Sequence, residues 1–127
     1  MQANISNTKQ QLIHLGLIVE KMLALSGMIR GSYGTTHHRC GRSTCWCANP
    51  KKKGHFYAKL MWTDEEGPKT RSVHDEDTHT VLEAIGQDRE FKRLRRQLKK
   101  KMNQLENSLA VFQRQTTSEN RSKMGFS

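Results

Sequence analysis

Apolar positions along the chain change period twice. Over residues 4–29, Leu12, Leu15, Val19 and Met22 recur at spacings of 3, 4 and 3, the repeat of a helix with one packing seam. Leu17, Ile18, Leu23 and Leu25 widen that stripe, so this helix is expected to be buried on several sides. Ser6 or Asn7 suits its start, and Gly27 and Gly31 suit its end. Over residues 55–63 the period drops to two. Phe56, Ala58, Leu60 and Trp62 share one face, and Tyr57, Lys59 and Met61 share the other. Asp64-Glu65-Glu66-Gly67-Pro68 reads as a turn and Lys69 to Val73 as a second strand, which predicts a two-stranded hairpin. Such a hairpin is marginal alone and needs support from a neighbouring element.

Residues 75–113 return to a helical period, with Asp75 or Asp77 at the start. Phe91, Leu94, Leu98, Met102, Leu105, Leu109 and Phe112 follow at spacings of 3, 4, 4, 3, 4 and 3. This coiled-coil-like seam has one 11-residue stretch, Phe91 to Met102, that should locally unwind a left-handed supercoil. Gly86 is a kink or a weak point. The seam spans about 33 Å at 1.5 Å per residue, long for a single unsupported helix, so a homodimer is expected. Residues 30–53 are irregular, and residues 114–127 lack periodicity and read as a disordered tail. The expected organisation is α+β: an N-terminal helix over 1–29, a Cys-rich knuckle with a hairpin over 30–74, a long basic helix over 75–113, and the tail.

Composition narrows the partners. The net charge is +10, and only 34% of the 127 residues are hydrophobic, so the core is thin and a polyanion is the natural ligand. His14, Glu20 and Lys21 interrupt the apolar stretch from Leu12 to Ile29, which argues against a transmembrane helix. Before Leu12 the one charged side chain is Lys9, unlike the start of a signal peptide, so a cytoplasmic location is expected.

Three cysteines, Cys40, Cys45 and Cys47, lie within eight residues. An odd, tightly packed set does not suit a disulfide framework. Thiolates clustered this way, with an imidazole, suit structural zinc. His55 follows at the head of the first strand, while His37 and His38 just precede Cys40 and compete for the fourth ligand position. A fourth cysteine for an iron–sulfur cluster is missing. The acidic residues Asp75, Glu76 and Asp77 fit a helix start better than two-metal catalysis, and no Cys-x-x-Cys motif is present, so an enzyme is not expected.

Two basic patches follow. Arg39, Arg42, Lys51, Lys52 and Lys53 surround the cysteines, with Trp46 between two of them, where it can stack on a base or pack on the hairpin. Arg89, Lys92, Arg93, Arg95, Arg96, Lys99, Lys100 and Lys101 flank the seam of the long helix, an arrangement suited to phosphates.

The string Cys40-Gly41-Arg42-Ser43-Thr44-Cys45-Trp46-Cys47, then Gly54-His55, the aromatic strand to Trp62, and Lys69-Thr70-Arg71, resembles a group of small bacterial mobile-element proteins. That group carries a Cys-Gly-Lys/Arg-x-x-Cys-x-Cys cluster and a helical tail, and the likeness spans residues 30 to 112. Some of its members resemble the small third transposition protein that accompanies tyrosine recombinases. This chain departs after His55, running straight into Phe56 where the group tends to have Gly-Pro. The resemblance implies an accessory DNA-binding role in recombination or transposition, beside a recombinase or transposase of the same element. The competing reading is a helical adaptor that binds a protein and no nucleic acid.

Overall fold

The computed structural model describes residues 2–126. Its elements are α1 (Gln2–Leu23), β1 (Ser32–His38), a 3₁₀ turn (Trp46–Ala48), β2 (His55–Asp64), β3 (Gly67–Ser72), a second 3₁₀ turn (Asp75–Asp77) and α2 (Thr78–Lys123). The fold is α+β, as the two periods predict. It divides into two compact units: residues up to Ser26 with those from Glu90 onward, and Gly27–Arg89.

The first unit is a helical hairpin. Ile18, Met22 and Leu94 form its buried centre, and Leu25, Phe91 and Leu98 pack against them. Asn7 and Thr8 near one end of α1 share a groove with Asn107, Ser108 and Val111 of α2, so the two segments run antiparallel. The buried line on α1 is Leu15, Ile18 and Met22. Leu15 and Met22 of the expected seam are thus buried, but its other two members, Leu12 and Val19, are exposed: the helix is rotated part of a turn, so that Ile18 packs inward in their place. On α2 the packed side runs through Leu94, Leu98, Lys101, Leu105, Ser108 and Phe112, while Met102 and Leu109 of the expected seam face solvent.

Both helix ends differ from expectation. α1 stops at Leu23, where the Leu25 amide bonds the Met22 carbonyl and the Ser26 amide bonds that of Ala24, tightening the chain out of the helix. At its start α1 is already helical before Ser6, so neither Ser6 nor Asn7 caps it. α2 passes Gly86 unbroken and continues to Lys123, through the segment read as a disordered tail. There the Phe126 amide reaches the Arg121 carbonyl at 2.8 Å and the Gly125 amide that of Ser122 at 3.1 Å, the paired bonds of a Schellman stop.

The second unit holds an antiparallel sheet in the order β1-β2-β3. β2 and β3 are the expected hairpin, in register from Lys59↔Ser72 to Asp64↔Gly67. The ladder continues one residue further, because the Val73 amide donates to the Ala58 carbonyl. The Asp64 carboxylate accepts from the Glu66 amide at 2.9 Å, which stiffens the turn. Of the face that Phe56, Ala58, Leu60 and Trp62 share, Ala58 is buried and Leu60 and Trp62 are half-buried, whereas Phe56 is exposed. The two-stranded prediction is corrected by β1, which pairs with β2 from Ser32↔Met61 to His38↔His55. Ala84 and Ile85 of α2 are also buried, and the Ile29 amide hydrogen bonds the Ala84 carbonyl.

Candidate metal centre

β1 ends on His38 and β2 begins on His55, and these two residues are paired. The chain between them is a loop closed at its base by the sheet. Its return requires Gly54, whose φ is +100° and where a Cβ would stand 2.7 Å from the His38 carbonyl oxygen. At the outgoing side Gly41, directly after Cys40, takes φ +83° and turns the backbone. The Cys45 amide bonds the Arg42 carbonyl at 3.2 Å and the Ala48 amide bonds that of Cys45 at 3.0 Å, so Cys45 and Cys47 are carried on one tight turn. Arg39 donates from Nη2 to the carbonyls of Pro50 at 3.4 Å and Lys52 at 3.2 Å, tying the two sides of the loop.

The ligand atoms of Cys40, Cys45, Cys47 and His55 all lie within 4.8 Å of one another. Cys40 Sγ is 3.5 Å from Cys47 Sγ, and Cys45 Sγ is 3.3 Å from His55 Nε2. Cys47 is fully buried and its sulfur accepts the Cys40 amide at 3.3 Å, whereas Cys40 is exposed. Three thiols and one imidazole convergent at this scale form a candidate metal site. His37 and His38, the rival ligands, stand outside this group: their rings lie against Phe56 at 5.6 Å and Tyr57 at 5.8 Å.

The thiols are not equivalent. Hydrogen bonds from the Arg42 backbone, His55 and Cys47 pull the Cys40 thiol from 9.0 down to about 6. The Cys40 amide lowers Cys47, but burial and the thiols of Cys40 and Cys45 outweigh it and push Cys47 up.

The residues expected to meet nucleic acid fall on both units. Arg42, Lys51, Lys52 and Lys53 are exposed on the loop that carries the cysteines. Arg39 is exposed too, but its guanidinium is used to brace that loop. Trp46 keeps 55% of its surface exposed while its ring meets His55 edge-on at 4.8 Å. On α2, Arg89, Lys92, Arg95, Arg96, Lys99 and Lys100 are exposed and Lys101 is half-buried. Arg93 is exposed but ion-paired with Glu90, its Nε donating at 2.9 Å. Sequence reasoning missed β1, whose Tyr33, Thr35 and Thr36 are strand-forming residues masked by Gly34.

No helix among the described residues is long and apolar enough to cross a membrane. Comparison with protein-family models, with curated proteins and with solved structures returns no match.

Proposed function

We propose that this chain is a non-enzymatic accessory protein that binds DNA, with a structural zinc ion holding the knuckle. Cys40, Cys45, Cys47 and His55 would supply the four zinc ligands. A tetrahedral site with zinc–sulfur bonds of about 2.3 Å has sulfur–sulfur edges of about 3.8 Å, and this donor set is a normal one for the ion. The Cys40–Cys47 sulfur separation of 3.5 Å sits close to that edge, and His55 Nε2 lies 3.3 Å from the Cys45 sulfur. Bound zinc would neutralise thiolate charge and pin the loop to the base of the β1–β2 ladder.

The observation that carries the DNA reading is the exposed indole of Trp46 on a loop that also presents Arg42, Lys51, Lys52 and Lys53. An aromatic face beside positive side chains suits a base next to its phosphate. The second basic row, on α2, adds further exposed cations in a chain of net charge +10. The resemblance of the Cys-Gly-Arg-x-x-Cys-x-Cys string to mobile-element proteins supports an accessory role beside a recombinase or transposase, in the cytoplasm.

Fluorescence anisotropy with zinc-loaded protein and a labelled duplex tests this reading. Affinity should fall linearly on a logarithmic salt scale, and replacing Arg95, Arg96, Lys99 and Lys100 with glutamine should flatten the slope by about 0.9 for each phosphate no longer neutralised. Trp46→Ala should weaken single-stranded DNA more than duplex. No binding at low salt, or binding indifferent to salt, would overturn the reading and favour the protein adaptor.

A further inference from the structure

α1 is apolar on more sides than α2 covers. Leu15, Ile18 and Met22 are buried in the hairpin. On the other side Leu12, Ile13, Leu17 and Leu23 are 61%, 57%, 53% and 76% exposed. At about 100° of turn per residue, Lys9, Ile13, Gly16, Glu20 and Leu23 line up down one face, with Leu12 and Leu17 on its two flanks. The face holds one cation, Lys9, and one anion, Glu20, both exposed, with apolar residues between them.

The positions are symmetric. The midpoint between Lys9 and Glu20 falls between His14 and Leu15. The same point is midway between Ile13 and Gly16, and midway between Leu12 and Leu17. We infer that this face of α1 packs on the same face of a second copy, antiparallel, about a two-fold axis at that point. In this register each Lys9 meets the partner's Glu20. Each Ile13 packs beside the partner's Gly16, where nothing beyond the glycine's own stretch of helix lies within 4 Å of the place a Cβ would occupy. Leu12 and Leu17 close the two flanks, each beside its counterpart.

Charge selects this occupant. A parallel pairing would set Lys9 against the partner's Lys9 and Glu20 against the partner's Glu20, which is unfavourable. A nucleic acid has nothing to gain from a face whose two charges cancel. A bilayer would have to accept Lys9 and Glu20 on the apolar line itself. Two chains of net charge +10 can approach closely only where each presents little net charge, and this face of α1 does so. The dimer seam expected on α2 is already occupied at Phe91, Leu94 and Leu98, which the chain's own α1 segment covers.

Sedimentation velocity of the full chain at micromolar concentration should show a dimer. Lys9→Glu should weaken it about tenfold, since two symmetric ion pairs become repulsive. Glu20→Lys should do the same, and the double variant should restore the affinity. Ile13→Asp should give a monomer with unchanged helical circular dichroism. Monomeric wild type, a double swap that fails to rescue, a dimer indifferent to all four variants, or a monomer that instead floats with anionic phospholipid vesicles would each overturn the inference.

Discussion

Cys47→Ser protein is expected to purify without metal and with residues 27–89 unfolded, while the helical signal largely persists. Cys47 is the innermost of the four ligands, with 0% of its surface exposed. A serine oxygen is a far poorer partner for a borderline-soft cation than a thiolate, and three remaining donors leave the site open. The loss is large because little else holds this unit. Apart from Cys47, its buried apolar side chains are Ala58, Ala84 and Ile85. Zinc binding in comparably small domains is worth about 10 kcal/mol at neutral pH, similar to the whole stability of a typical domain. His55→Ala should behave alike. The measurements are zinc per chain by elemental analysis and near-ultraviolet circular dichroism from Trp46 and Trp62. Cobalt(II) loading of wild type should add thiolate-to-metal charge-transfer absorption that both variants lack. Wild-type protein that takes up no zinc, or a Cys47→Ser variant that retains a full equivalent, would contradict the centre.

The second large effect concerns the other unit. Leu94→Ala should lower stability by about 3 kcal/mol in urea denaturation followed at the helical signal. Leu94 is 3% exposed and sits with Ile18 and Met22 at the centre of the hairpin. Few side chains share that burial, so surrounding residues cannot collapse far into the space. Leu109→Ala, on the same helix but 51% exposed, should change stability by no more than about 0.5 kcal/mol. Equal denaturation midpoints for the two variants would refute this assignment of the core.

Periodicity in the sequence records burial, and it succeeded where burial is one-sided. β2 was legible because Phe56, Ala58, Leu60 and Trp62 fall at a spacing of two, and β3 because the Asp64 to Pro68 turn precedes it. α1 was legible as a helix but not by face: with apolar residues nearly all round, only the position of Phe91, Leu94 and Leu98 decides that Leu15 and Ile18 turn inward and Leu12 outward. β1 is an edge strand of mostly polar residues, Ser32 to His38, so it carries no apolar alternation to read. The last turns of α2 have the same difficulty. Gln113 to Lys123 bury little, yet nothing in them forbids a helix, and Gly125 marks the stop. The cysteine cluster needed only spacing. The choice of His55 over His37 and His38 needed the register of β1 on β2, which sets His55 at the base of the loop.

That register also bears on how the sheet assembles. His38 pairs with His55, and the two neighbouring candidate ligands, Cys40 and His55, bracket the same loop. Loop closure is the main entropic barrier to pairing strands distant in sequence, and it is met once, when the strands first touch. Any interaction that draws Cys40 against His55 closes the loop before a strand residue has paired. What remains is local zippering, from His38↔His55 outward to Ser32↔Met61, in which each new pair is already adjacent to the last.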